Sequence, residues 1–451
     1  MPEPARTAEA AVTAPTGLKR ELSLFDATTI NVGTMIASAI FIVPSMIALQ
    51  LRASGLVLAV WILGGVVSLL GALCMAELGA AFPRAGGLFV YLREAYGPVW
   101  GFLYGWAVAV LVNPASIAAI GAIFAAYVSF FVPLGATAQK AVAVGSIVAL
   151  TLLNCAGVRA GAVTQNVLTT LKVAALAGLV VAAFALPGGS GGQLAPWLPA
   201  SFDGLWGPVG IAMVAVLFAY DGWIEITYVG GEVEHPGRVL PQSIVYSLVI
   251  VIAVYTLVNL AFLYVLAPAG MAGSALVASD AATVVLGSAG AAFVAAAIVI
   301  ATLGANNGIV LTSARIPYAM ARDGAFFAWA GRVHPSLGTP VPALLAQGAV
   351  ASVMALTGTY EQLFTYVVFA SWVFYAMGAA AVIRLRRTAP DLPRPYRAWG
   401  YPWTPLVFVG FAIWLVASTV LETPREALVG VVIVAAGLPL YRHWSRERQS
   451  T

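Results

Sequence analysis

After residue 17 the chain is built of long apolar runs joined by short polar, Gly- and Pro-rich connections. Most of these runs reach about 20 residues, the length at which an α-helix crosses the hydrocarbon core of a bilayer. None has the two-residue alternation of a barrel strand. The pattern predicts twelve helices, over residues 24–49, 56–81, 99–131, 140–155, 161–186, 209–229, 241–265, 291–322, 342–356, 360–384, 405–421 and 426–441. Residues 88–96 read as a short amphipathic helix suited to the interface. A stretch of small residues over 275–287 reads as a surface helix. Residues 1–17, rich in Ala, Pro, Thr and Glu with no apolar core, read as a disordered tail rather than a secretory signal.

Polar interruptions inside these runs are the more informative signal. The first run holds Gly33, Thr34, Met35, Ile36, Ala37, Ser38 and Ala39 at its centre. Such residues either allow close helix packing in lipid or mark an unwound turn whose amides and carbonyls need a ligand, an ion or a polar cavity. A second interruption, Phe218, Ala219, Tyr220, Asp221 and Gly222 in the sixth run, favours the unwound turn. The third run contains Asn113-Pro114, where the proline ring removes a backbone bond and predicts a kink. Lys172 lies deep in the fifth run, and an intramembrane lysine costs about 2.5–3.5 kcal/mol on insertion scales, so it needs a cavity or a partner. Asn306 and Asn307, flanked by Gly304 and Gly308 in the eighth run, read as a polar lining or polar contacts.

Composition agrees and removes alternatives. With 61% hydrophobic and 9% charged residues and a mean hydropathy of +0.93, the chain lies far from soluble usage, where about 25% of residues are charged. It reads as an all-α integral membrane protein in contact with the lipid bilayer. The net charge of +4 does not point to nucleic acid, because the basic residues are scattered at helix ends. Most of them fall on one face: Arg84, Arg93, Arg159, Arg238, Arg322, Arg332, Arg384, Arg386, Arg387, Arg394 and Arg397 occupy the even-numbered helix exits, against Arg52, Lys140 and Arg425 opposite. The positive-inside rule then places both termini in the cytoplasm, the protein being multi-pass in the cell inner membrane. Cys74 and Cys155 sit inside apolar runs, and His235, His334 and His443 are dispersed in loops and the tail. No metal site, disulfide or cofactor is expected. No nucleophile with a base lies near Lys172, Asp221 or Glu225, and no phosphate-binding glycine loop is present, so neither an enzyme nor an ATP-driven pump is expected.

Taken together and in order, several pieces resemble the amino acid/polyamine/organocation (APC) superfamily, and within it bacterial relatives of the L-type amino acid transporters. They are the small-residue break over 33–41, Pro83-Arg84-Ala85-Gly86-Gly87, Asn113-Pro114 with Ser116, the 218–223 segment, the run from Gly231-Glu232 through Pro236 to Leu240-Pro241, and Arg394-Pro395-Tyr396-Arg397. The resemblance implies twelve transmembrane helices in a LeuT-type 5+5 inverted repeat with discontinuous helices 1 and 6. Residues 18–387 would form the transport core, 388–443 helices 11 and 12, and 444–451 a cytoplasmic tail.

The resemblance also implies a function: secondary active transport of amino acids, by exchange or proton coupling. Thr34, Met35, Ile36, Ala37, Ser38 and Ala39 would cradle the substrate with Ala219 and Asp221, Ser116 and Ile120 would line the pocket, and Phe218 would be its aromatic gate. Lys172 matches the helix-five lysine that replaces a sodium ion and braces helix one. The chain departs from the family in carrying Ala37 and Ala39 where glycines are usual, which adds two methyl groups at the break. Glu225, not a usual family feature, is read as reaching the cytoplasmic vestibule. Neutral amino acids fit best, because the pocket residues are otherwise apolar. Cationic amino acids or polyamines are the alternative, and a non-transporting amino acid sensor is a third reading that would need an output domain. The loop over 133–140 has no cysteine, so no disulfide-linked glycoprotein partner is expected.

Overall fold

A computed structural model describes residues 17–358, 360–422 and 424–450, and within them the only strand-like pairing is an isolated bridge between Leu22 and Val233. Among the described residues nine helices are long and apolar enough to cross a membrane, ten if a bent pair is counted as one span.

That pair is α1 (Leu24–Met35) and α2 (Ala39–Leu51), which meet at 47°. Ser23 caps α1 in a reciprocal box with Asp26: the Asp26 amide donates to Ser23 Oγ at 3.3 Å and the Ser23 amide to Asp26 Oδ2 at 2.9 Å. The helix stops where Ile36 takes non-helical angles (φ −80°, ψ 88°). Next come α3 (Ser54–Ala81), the short amphipathic α4 (Leu88–Tyr96) and α5 (Pro98–Ala107). The kink expected at Asn113-Pro114 takes the form of a π-helical turn, Val108–Val112, leading into α6 (Asn113–Val128). α7 (Ala136–Cys155) and α8 (Val158–Ala185) complete the first half.

The second interruption is also present. α9 (Trp206–Tyr220) ends at an extended Asp221 (φ −61°, ψ 144°), and a 3-10 helix, Glu225–Glu232, takes over. α10 (Pro236–Gly273) runs past the expected end of the seventh helix, broken by Ala267 at φ 58°. α11 (Val277–Leu286) is the surface helix expected over 275–287. α12 (Ala289–Ser313) and α13 (Arg315–Arg322) share the eighth run, followed by α14 (Val341–Thr357), α15 (Tyr360–Thr388) and α16 (Trp403–Glu422). The twelfth run, expected to be continuous, divides into α17 (Pro424–Ala435) and α18 (Gly437–Ser450).

Packing puts the two breaks side by side. α1 and α2 pack on α10, α1 also on α8 and α12, and α2 on α9. Across from them α6 packs on α7, α12 and α14. The space between these two groups is the main cavity.

Candidate functional site

Each break exposes backbone groups, and specific side chains claim them. Lys172, in the middle of α8 and 1% exposed, donates to the carbonyls of Gly33 (2.8 Å), Ile36 (2.8 Å) and Ala301 (3.0 Å). An ammonium has three N–H donors, and all three are used. Gly304 leaves room for it, since a Cβ there would stand 3.0 Å from both Lys172 Cε and Nζ. A buried cation thus ties the end of α1 to α12, the arrangement that burial without a carboxylate partner demands.

The second break is held from the first. Asn31 in α1 donates to the Trp223 carbonyl (3.0 Å) and accepts from the Ile226 amide (3.0 Å). Thr34 Oγ1 lies 3.3 Å from the Gly222 carbonyl. Gly222 has φ +116°, and a Cβ there would meet the Met35 amide nitrogen at 3.1 Å, so backbone conformation and close approach both require glycine. From α10, the Tyr255 hydroxyl sits 2.8 Å from the Met35 carbonyl and 3.0 Å from that of Ala219.

These elements wall a cavity of about 1250 Å³. Its lining extends to Leu49 and Gln50 near the end of α2 and to Gln139 and Lys140 near the start of α7. Thr34, Met35, Ala37, Ser38, Ala39, Ser116, Ile120, Phe218, Ala219 and Asp221 all line it. The amides of Ser38 and Ala39 stand at the start of α2, where a helix favours negative charge. The carbonyl end of α9 lies on the same cavity, where positive charge is favoured. Such a pair of half-helix ends suits a zwitterion, and the remaining wall is largely aliphatic.

Three expected site residues lie elsewhere. Ile36 is fully buried and off the cavity wall; only its carbonyl takes part, through Lys172. Asn306 and Asn307 are not a lining either. Asn306 donates to the Ile117 carbonyl (3.2 Å), and Asn307 donates to the Gly161 carbonyl (3.1 Å) and Gln165 Oε1 (2.8 Å) while accepting from Asn154 (3.0 Å). They join α12 to α6, α7 and α8, and so act as interhelical contacts.

Conversely, the cavity floor contains residues that the sequence reading placed elsewhere or passed over. Glu225, expected in the vestibule, lines the cavity and accepts from Thr312 Oγ1. Tyr104 and Tyr228 also line it, their hydroxyls 2.6 Å apart. Tyr375 donates to Asp221 Oδ1 at 3.1 Å, and the Gly222 amide donates to the same oxygen at 3.0 Å. The stripe Tyr104, Val108, Val112 on the third run is periodic and would have given Tyr104; the face of Glu225 depends on the 3-10 geometry after the break.

Beneath the floor the molecule is shut. Arg315 and Glu232, both with 0% exposed side chains, form a bidentate pair (Nε–Oε1 2.7 Å, Nη2–Oε2 2.9 Å). The chain before α1 crosses the same face, where the amides of Glu21 and Leu22 both donate to the Glu232 carbonyl at 2.9 Å. Among the described residues no group of His, Cys, Asp and Glu could hold a metal ion.

Comparison with known proteins gives a consistent picture. A family model described as amino acid permease matches residues 22–436. The serine/threonine exchanger SteT of Bacillus subtilis is 32% identical over 437 residues, which cover 96% of this chain and 99% of the exchanger. The b(0,+)-type amino acid transporter 1 of Mus musculus is 31% identical over 434 residues, covering 94% of this chain and 88% of that protein. The Asc-type amino acid transporter 1 of Mus musculus is 31% identical over 437 residues, with 94% and 81% covered.

Proposed function

The chain belongs to the amino acid permease family and is a multi-pass membrane transporter of amino acids rather than an enzyme, and from that premise we propose that it carries neutral amino acids by exchange or proton coupling. The observation that carries this reading is the meeting of the two helix breaks at one cavity, amide end against carbonyl end, with an otherwise apolar wall. Freed amides of α2 would take the substrate carboxylate and freed carbonyls at the ends of α1 and α9 its ammonium. Asp221 is engaged by Tyr375 and its neighbouring amide, which argues against a free counter-ion for a cationic side chain.

The proposal includes the finer architecture. The broken spans come first and sixth in order, as two inverted repeats of five with the last two helices outside would require. Twelve spans with both termini cytoplasmic, in the inner membrane, are part of this reading, and the arginine and lysine distribution supports the orientation. Lys172, with its three carbonyl partners, would stand where a bound cation would otherwise brace helix one.

Reconstitution in liposomes tests it. Uptake of labelled alanine, serine, threonine and branched aliphatic amino acids is expected, unchanged when choline replaces sodium, with arginine, lysine and putrescine competing weakly. Tight competition by the cations would reverse the substrate assignment, and a large loss in choline would remove the role of Lys172.

Phe218 carries a separate expectation. As the gate, its ring would cover the occluded substrate, and burying such a side chain is worth about 1.5–3 kcal/mol. Phe218→Ala should therefore bind substrate yet transport it about ten- to a hundredfold more slowly, with Phe218→Trp milder. Equal rates in all three proteins would strip Phe218 of that role.

A further inference from the structure

We propose that Asn113 reads the substrate side chain, selecting small neutral amino acids that carry a hydroxyl or carboxamide oxygen. This rests on the neutral reading above and assigns its specificity to one residue.

The observation is an unpartnered buried amide on the cavity wall. Asn113 is 5% exposed and lines the cavity, yet its Nδ2 is shut off from solvent with no hydrogen-bond partner. Leaving a buried donor unmade carries the full desolvation penalty of that group. A ligand that supplies an acceptor on this wall would remove that cost. The neighbouring polar groups of the floor are already engaged, Tyr104 with Tyr228 and Glu225 with Thr312.

Local backbone explains how Asn113 comes to the cavity wall. The π-helical turn Val108–Val112 inserts one residue ahead of Asn113, its last bond running from the Asn113 amide to the Val108 carbonyl. Such turns re-aim the side chains that follow and recur at functional sites. From there Asn113, Ser116 and Ile120 form one stripe toward the cavity mouth, the spacing of a single helix face.

Position does the rest. α6 packs on α7, α12, α14 and α15, across the cavity from α1, α2 and α9, where the breaks lie. A substrate held by its carboxylate and ammonium at the breaks therefore points its side chain at α6. An Asn amide donates through nitrogen and accepts through oxygen, so it suits a hydroxyl in either sense. A valine side chain there leaves the amide unpaired, and a site built to bond a hydroxyl discriminates against the analogue that lacks it.

The test is a ratio, which does not depend on how much protein is active. Uptake efficiency for threonine and its isostere valine, and for serine and alanine, is measured in liposomes with the full chain and with Asn113→Leu and Asn113→Ser. Wild type is expected to favour threonine over valine by about tenfold, equivalent to about 1.4 kcal/mol. Asn113→Leu should bring the ratio near one, and Asn113→Ser should keep part of it. Equal handling of threonine and valine by the wild type overturns the proposal without any variant. An unchanged ratio in Asn113→Leu, or an equal loss for both substrates, overturns it by confining Asn113 to the helix turn. If the wild type carries no neutral amino acid, the neutral reading itself has failed.

Discussion

Lys172→Ala is expected to reach the membrane in normal amounts and to lose transport by about a hundredfold or more. Hydrogen bonds to a charged group contribute about 1.5–3 kcal/mol each, and this ammonium makes three, two of them to carbonyls at the end of α1. Without it the Gly33 and Ile36 carbonyls are left buried without that donor, and the broken end of α1 loses its hydrogen bonds to α8 while the start of α1 keeps those of Asp26 and Thr29. Lys172→Arg should not rescue, because three converging carbonyls match the three donors of a compact ammonium rather than a planar fork. Uptake normalised to reconstituted protein is the measurement. A wild-type rate in Lys172→Ala would reduce the residue to packing.

Glu232→Ala should have the largest effect on stability. Removing one partner of a buried ion pair leaves the other charge uncompensated, a loss of about 3–5 kcal/mol. Arg315 has 0% exposure, its remaining Nη1 contact being the Leu311 carbonyl. Replacing both residues, as Glu232→Leu with Arg315→Leu, should restore most of that loss, since a hydrophobic pair of similar volume often matches a buried salt bridge. Thermal unfolding in detergent reads both variants. If Glu232→Ala melts with the wild type, or the double variant is worse than either single one, the pair is not a stabilising unit.

Much of this was legible in the residues, for a definable reason. A polar or helix-breaking group inside an apolar run carries a cost, so Gly33 to Ala39, Phe218 to Gly222 and Lys172 declare themselves without a fold. What a sequence does not encode is which partner meets the demand. Asn306 and Asn307 needed acceptors, and these proved to be carbonyls and an amide of neighbouring helices rather than a cavity. Ile36 belonged to the break, but the turn aims its side chain into the core and offers only its carbonyl. Glu225 was misplaced, and Asn113 passed over as a lining residue, through helix type. A 3-10 helix has three residues per turn and a π turn more than four, so each changes which face carries the next side chain, and the 3.6-residue rhythm cannot register it.

The Tyr255 hydroxyl has a consequence of its own. It carries a single proton and lies within bonding distance of two carbonyls, Met35 on one broken span and Ala219 on the other. The two breaks therefore share one donor, and because the Met35 carbonyl also accepts from the Ala37 amide at 3.0 Å, the hydroxyl proton can go to Ala219 without leaving the first break unserved. On the proposed reading an arriving ammonium would add donors of its own at this junction, so that the cargo itself would hold both spans in register.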